Sequence, residues 1–150
     1  MPVIYIDADG CPVKEETYRV AKRYVLKVVL AANSWMRVPA SGSIELVVVG
    51  DGMDEADDWI AERAGTGDIV VTGDIPLAAR CLEKGARVLG LRGKPFTEES
   101  IGDALASREL LSHLREAGAV TGGPSAITKK DRSRFLESLD NIVQSVLRGN

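Results

Sequence analysis

Histidine, cysteine and long apolar runs are scarce in this chain, and each scarcity excludes a class of protein. The 150 residues contain one histidine, His113, which excludes a zinc site built from several histidines and argues against a histidine-based catalytic triad. Two cysteines, Cys11 and Cys81, are too few for a disulfide scaffold and favour a reducing compartment. No apolar run approaches the roughly 20 residues that cross a bilayer, and the first residues lack the basic flank of a signal peptide. We therefore expect a cytoplasmic protein that has no membrane contact.

The composition is that of an ordinary globular protein. Hydrophobic residues make up 45% and charged residues 27% of the chain, which excludes a disordered polypeptide. We find no repeat or linker, so the length predicts a single domain over residues 1–150. The net charge of −3, from 19 basic and 22 acidic residues, does not indicate binding of a polyanion through bulk charge, although local basic patches remain possible. The oligomeric state stays open.

The apolar segments alternate between strand-like and helix-like patterns. Short, nearly continuous apolar runs predict five strands, at residues 3–6, 25–32, 44–49, 68–72 and 86–91. Between them, helices are predicted over 12–23, 54–64 and 76–84. Two further helices follow, one over 98–116 and a last one, after the Gly-Gly-Pro loop, whose apolar stripe runs from Phe135 to Leu147. The order predicts an α/β fold with a mainly parallel five-stranded sheet, helices on both faces and a helical C-terminal part.

Acidic residues follow three of the predicted strands. Asp7 and Asp9 end the first strand, Asp51 and the acids at 54–58 follow the third, and Asp74 follows the fourth. In a parallel sheet, ligands bind beyond the carboxyl ends of the strands. We therefore expect Asp7, Asp9, Asp74 and at least one acid of residues 51–58 to converge.

Converging carboxylates are costly unless a proton or a cation neutralises them. Two carboxylates about 4 Å apart repel by about 4 kcal/mol at an effective dielectric constant near 20. Oxygen ligands without histidine or paired cysteine select Mg²⁺ or Mn²⁺ rather than zinc. Such an ion typically contacts substrate phosphates, which predicts hydrolysis of a phosphodiester. The alternative for each of these aspartates is that it caps a helix.

Several motifs together resemble one known family. They are YIDADGCPVK at 5–14, TGDIPLA at 72–78, GGP at 122–124 and DRSRF at 131–135. In this order they resemble the YaiI/YqxD family of bacterial proteins, whose members are mostly uncharacterised. That family is similar to PIN-like nucleases, which are metal-dependent ribonucleases with an acidic cluster on a parallel sheet. The resemblance implies a PIN-like fold, a metal cofactor, and RNA rather than DNA as the substrate.

The resemblance also implies roles for individual residues. Asp7 matches the acid on the first strand of PIN-like enzymes, Asp57 resembles their acid in a mid-chain helix, and Asp74 matches the acid after a later strand. Asp9 and Asp54 belong to the narrower family's own pattern. We therefore predict Asp7, Asp9, Asp57 and Asp74 as catalytic residues, and Asp7, Asp54, Asp57 and Asp74 as metal ligands.

Basic residues supply a second predicted function, the binding of substrate phosphates. The predicted phosphate-binding residues are Lys14, Lys129, Lys130, Arg132 and Arg134. The Gly122-Gly123-Pro124 loop could present free backbone amides of its glycines to an anion. The alternative for the 129–134 stretch is an ordinary solvated helix face.

Two other functions remain open. Asp7 and Asp9 also resemble the nucleophile and the acid–base residue of haloacid-dehalogenase-type phosphatases, and residues 49–54 resemble the late metal-binding motif of those enzymes. In that family the late motif follows several more strands, so the order argues against this assignment. The third possibility is a non-catalytic module that binds metal or RNA. Cys11, near a helix start, is a weak candidate nucleophile, because no histidine lies near it in the sequence.

Overall fold

The computed structural model describes residues 1–50, 52, 54–118 and 126–149. The strands are β1 (Val3–Asp7), β2 (Lys27–Ala32), β3 (Ile44–Val48), β4 (Ile69–Val71), β5 (Arg87–Leu89) and β6 (Pro95–Phe96). The helices are α1 (Lys14–Tyr24), α2 (Glu55–Arg63), α3 (Ile75–Glu83), α4 (Glu98–Glu116) and α5 (Lys129–Leu147). The α/β fold class is confirmed, including the helical C-terminal part.

The strands form one sheet in the order β3-β2-β1-β4-β5-β6. All pairs are parallel except β5 and β6, which are antiparallel. The strand β6 adds a sixth strand to the five that were predicted. It forms because the chain reverses at Gly93, whose φ of +88° suits glycine, and because the Gly90 N–H donates to the carbonyl of Lys94 at 2.9 Å. So short a strand leaves too little apolar pattern to be detected in the sequence.

The sheet has an apolar layer on each face. Side chains alternate along β1, so Ile4 and Ile6 join the layer that includes residues of α1 and α5. Tyr5 faces the other layer, which includes residues of α2 and α3, and there its ring lies edge-on to Trp59 with 6.1 Å between centroids. Helices therefore cover both faces, as predicted.

The two long C-terminal helices differ in how much they bury. In α5 the apolar residues recur every three or four positions, and Phe135, Leu139, Ile142 and Val143 are buried. The helix α4 packs beside α3 but buries none of its residues. Among the described residues, no helix has both the length and the apolar character needed to span a membrane.

Candidate functional site

The carboxyl ends of the central strands enclose an acidic cavity of about 280 Å³. Strand β1 lies between β2 and β4. From β1 the chain first builds the sheet in one direction, through β2 and β3, and after α2 it builds the sheet in the other direction, through β4 and β5. The ends are level, since Ile6 pairs with both Leu30 and Val71. This is the switch point at which α/β sheets bind ligands. The cavity is lined by Asp7, Asp9, Asn33, Asp54, Ala56, Asp57 and Asp74.

The sequence-predicted aspartates therefore share one cavity. Asp7 ends β1, and Asp9 lies in the turn that follows it. Asp54 and Asp57 come from the start of α2, and Asp74 precedes α3. Their convergence agrees with the expectation from the strand ends, whereas their roles as ligands or catalytic groups stay predictions.

Asp7 is partly buried at the end of the central strand. Its Oδ2 accepts a hydrogen bond of 2.9 Å from the hydroxyl of Thr72, which is fully buried. Burial raises the pKa of Asp7, the hydrogen bond from Thr72 opposes this rise, and the negative charges of Asp74 and Asp9 add to it. The Asp7 carboxylate is therefore placed where a proton or a cation is favoured.

Asp74 serves as a helix cap within the same cavity. Its Oδ1 accepts a hydrogen bond of 2.9 Å from the backbone N–H of Leu77, so it caps α3. Its own backbone N–H donates to the Thr72 hydroxyl, also at 2.9 Å. The capping alternative raised for the aspartates is thus present at Asp74. Because one oxygen makes the capping bond, the other can still face a ligand in the cavity.

Asp9 and Asn33 link the turn after β1 to the end of β2. Asp9 Oδ2 accepts a hydrogen bond of 2.8 Å from the backbone N–H of Asn33. The side-chain Oδ1 of Asn33 is buried and has no hydrogen-bond partner within the described chain. An unpaired buried oxygen is costly, which suits a position where a ligand completes the bonding. The sequence indicates Asn33 only as part of a loop after a strand.

The start of α2 contributes the remaining carboxylates. The pKa of Asp57 is raised to about 6, chiefly by burial and in addition by the nearby charges of Asp74, Asp7, Asp54 and Asp58. Asp54 is the N-cap residue of α2, but its side chain forms no capping hydrogen bond, and its φ of 72° is left-handed. Asp58 is not among the residues that line the cavity, and it pairs with Arg80 at 2.8 Å.

The donor set fits a hard divalent cation in its chemistry. Five aspartates line the cavity, and Asn33, whose buried Oδ1 has no hydrogen-bond partner in the described chain, lines it as well. Among residues 1–50, 52, 54–118 and 126–149, however, no three His, Cys, Asp or Glu side chains are grouped so that they could hold a metal ion. A cation in this cavity would therefore contact at most two of these carboxylates directly and would keep several waters, which is how Mg²⁺ usually binds. Asp51, another predicted participant, lies outside the described residues.

Two of the five predicted phosphate-binding residues are engaged in ion pairs. Arg132 donates to the carbonyl of Pro12 at 2.6 Å and pairs with Glu16 at 3.2 Å, so it fastens α5 to the start of α1. Arg134 lies 3.9 Å from Asp131 and remains exposed. Phosphate binding by Arg132 would require it to exchange these contacts.

The three lysines differ from the arginines. Lys14 donates to the carbonyl of Cys11 at 2.9 Å. Lys129 and Lys130 are exposed and have no ion-pair partner in the described part of the chain, so they are available to an anion. The glycine-rich segment at 122–124, predicted to bind phosphate, lies outside the described residues.

Both cysteines are buried and free. Burial raises the pKa of the Cys11 thiol, and burial raises the pKa of Cys81 to about 11. A raised pKa disfavours the thiolate that a nucleophile requires. Both therefore act as small apolar packing residues.

Comparisons with known proteins place the chain in a family without assigning it an activity. A sequence model of the family described as "Uncharacterized BCR, YaiI/YqxD family" matches residues 5–145. The chain is 57% identical to a "UPF0178 protein" of Rhodopseudomonas palustris (strain BisB18), over 98% of this chain and 95% of that protein. It is also 57% identical to a "UPF0178 protein" of Parvibaculum lavamentivorans, over 99% and 97% of the two chains. No solved structure matches the chain. The resemblance drawn from the sequence motifs is confirmed: this chain belongs to the YaiI/YqxD family.

Proposed function

We propose that the chain is a Mg²⁺- or Mn²⁺-dependent nuclease that hydrolyses phosphodiesters of RNA. The observation that carries the proposal is the acidic cavity, in which five aspartates and one unpaired asparagine oxygen meet at the switch point of the sheet. Among the described residues, no basic side chain lines this cavity. A bound cation would neutralise these carboxylates, and a cation held by carboxylates typically binds phosphate groups, such as those of a phosphodiester.

Residue roles follow from the contacts. Asp7 and Asp57 carry the carboxylates with raised pKa values, and they are the groups that gain most from a cation. Asp74, through its non-capping oxygen, and Asp54 line the same cavity and would hold the waters that the ion keeps. Asp9, held by the Asn33 N–H, serves as an additional acid or proton acceptor. The bound ion would polarise the phosphate and activate a water.

The choice of RNA over DNA rests on the resemblance to PIN-like ribonucleases. The exposed Lys129 and Lys130 at the start of α5 add a cationic surface for the phosphates of a strand. Lys14 contributes a further positive charge at the beginning of α1.

The test is cleavage of a labelled single-stranded RNA by the parent and by charge-removing variants, with Mn²⁺, with Mg²⁺ and with EDTA. The informative variants are Asp7→Asn and Asp74→Asn. Asparagine is an effective N-cap, so Asp74→Asn keeps the cap of α3 while it removes the charge. Both variants should remain folded and lose metal-dependent cleavage.

The matched control is Asp58→Asn, which removes a charge from α2 outside the cavity lining. It should cleave like the parent. Cleavage by Asp7→Asn at the parental rate, or parental cleavage in EDTA, would refute the proposal. RNA binding that survives EDTA, with no cleavage of any substrate, would instead favour a non-catalytic binding module. A phosphorylated Asp7, trapped with a small phosphate ester, would favour a haloacid-dehalogenase-type phosphatase.

A further inference from the structure

A second cavity, of about 460 Å³, lies beside the acidic cavity and differs from it in chemistry. It shares two turns with the acidic cavity, since Gly10 follows Asp9 and Gly73 precedes Asp74. No carboxylate of the described part of the chain lines the second cavity, and apolar side chains of Leu91, Phe96 and Ile127 form much of its wall. An apolar cavity of this size is typical of sites for small organic groups.

Glycines keep the cavity open. A Cβ at Gly73 would lie 3.0 Å from Cδ1 of Leu91, and one at Gly90 would lie 3.4 Å from Cε2 of Phe96. Gly10 has φ +74°, and a Cβ built there meets no atom within 4 Å. The turns that also place Asp9 and Asp74 thus present bare backbone to the cavity.

Positive charge borders the same cavity. Lys94 lines it and is exposed, with no ion-pair partner for its side chain in the described residues. Arg92 also lines it and pairs with Asp131 at 2.6 Å, which fixes the start of α5 against the β5–β6 turn. Ile127 directly precedes the helix start that carries the exposed Lys129. The rim is therefore suited to an anionic group, and the interior to a planar apolar one.

We infer that this second cavity, here called the base pocket, receives an unpaired nucleobase of the RNA whose phosphate lies at the acidic cavity. This inference rests on the proposed nuclease function for the position of the phosphate. Phe96 and Lys94 line the pocket, so the ring of Phe96 would stack on the base and Lys94 would pair with an adjacent phosphate. A base held in a helix cannot reach a pocket, so the substrate is single-stranded RNA or an unpaired loop.

The experiment measures binding of a fluorescent single-stranded RNA with Ca²⁺ in place of Mg²⁺, and a gel of the recovered strand confirms that it is intact, so that binding is read apart from cleavage. One abasic site is moved along the strand. For the parent, one position should weaken binding by about 10-fold, within the range known for loss of one stacked base. Phe96→Leu should weaken binding of the intact strand by a similar factor and remove the sensitivity to that abasic position.

Two control variants match the two test variants. Phe135→Leu changes the other phenylalanine, which is fully buried and outside the pocket lining, and should leave the abasic effect intact. Lys94→Ala should reduce affinity and the dependence on salt concentration, whereas Lys22→Ala, also exposed, should not. Melting temperatures confirm that each variant is folded.

The outcomes separate the base pocket from the nuclease. A flat abasic scan, equal binding of duplex and single strand, no RNA binding, or equal effects of Phe96→Leu and Phe135→Leu would overturn the base pocket. Cleavage of RNA together with a flat scan removes the pocket and leaves the nuclease. Position-specific abasic sensitivity without any cleavage supports the pocket and removes the nuclease.

Discussion

Replacing Asp57 by asparagine should stabilise the protein at neutral pH when no divalent metal is present. Asp57 lies in the acidic cavity, where burial and four neighbouring carboxylates disfavour its negative charge. Within the described residues its side chain makes no hydrogen bond that asparagine would lose. The substitution removes the charge at nearly constant volume, so relief of repulsion should be its main effect.

The magnitude follows from the pKa. The pKa of Asp57 rises from an ordinary 3.8 to about 6 in the folded protein. Each pKa unit corresponds to about 1.4 kcal/mol, which gives an upper limit of about 3 kcal/mol. Because Asp57 is partly exposed, solvent screening lowers the expected gain to about 1 to 2 kcal/mol.

The pH dependence has a definite sign. The folded protein retains a proton on Asp57 at a pH where the unfolded chain has released it, so acid favours the folded state. This stabilisation is complete below about pH 3.8 and is lost as the pH rises through about 6. The free energy of unfolding of the parent should therefore fall across this window, and Asp57→Asn should flatten the fall.

Urea unfolding in EDTA, measured from pH 4 to pH 8, tests this reasoning. Asp57→Asn should gain most above pH 6 and little at pH 4. The control Asp103→Asn, an exposed acid on α4, should stay within about 0.5 kcal/mol of the parent at every pH. A destabilised Asp57→Asn at pH 7, or a parental pH profile for this variant, would refute the view that the cavity stores repulsion.

Three further predictions concern the residues around the site and the fold. Mg²⁺ or Mn²⁺ should raise the melting temperature of the parent but not of Asp7→Asn, since a ligand that binds only the folded state stabilises it. Equal shifts of the melting temperature in calorimetry would exclude the acidic cavity as the metal site. Thr72→Val removes the hydroxyl that donates to Asp7, so carboxyl NMR should show a higher pKa for Asp7, and urea unfolding should show a loss of stability of about 1 to 3 kcal/mol. An unchanged titration of Asp7 would count against the contact. Gly93→Ala should lower the free energy of unfolding by about 2 kcal/mol or more, because φ is +88° and the new Cβ would lie 2.6 Å from the backbone of Arg134. The control Gly102→Ala, on the exposed helix α4, should be neutral or stabilising, and similar melting curves for the two variants would contradict this.

The local pattern of apolar and acidic residues was enough to predict the alternation of strands and helices and the acids at the strand ends. Buried parallel strands must be apolar throughout, so their ends are visible where the first carboxylate appears, as at Asp7. A parallel sheet then brings such ends together, and for that reason the convergence of Asp7 and Asp74 could be predicted without coordinates. The motifs also identified the family.

The neutral groups that surround the acids could not be predicted from that pattern and are seen only in the folded chain. The Asn33 oxygen without a partner, the Thr72 hydroxyl between Asp7 and Asp74, and the base pocket against Phe96 depend on contacts between residues far apart in the chain. Local periodicity reports whether a side chain faces the core, but not which distant atom it meets there. These hydrogen bonds, pKa shifts and cavities depend on contacts between distant residues, so they can be seen only in the folded chain.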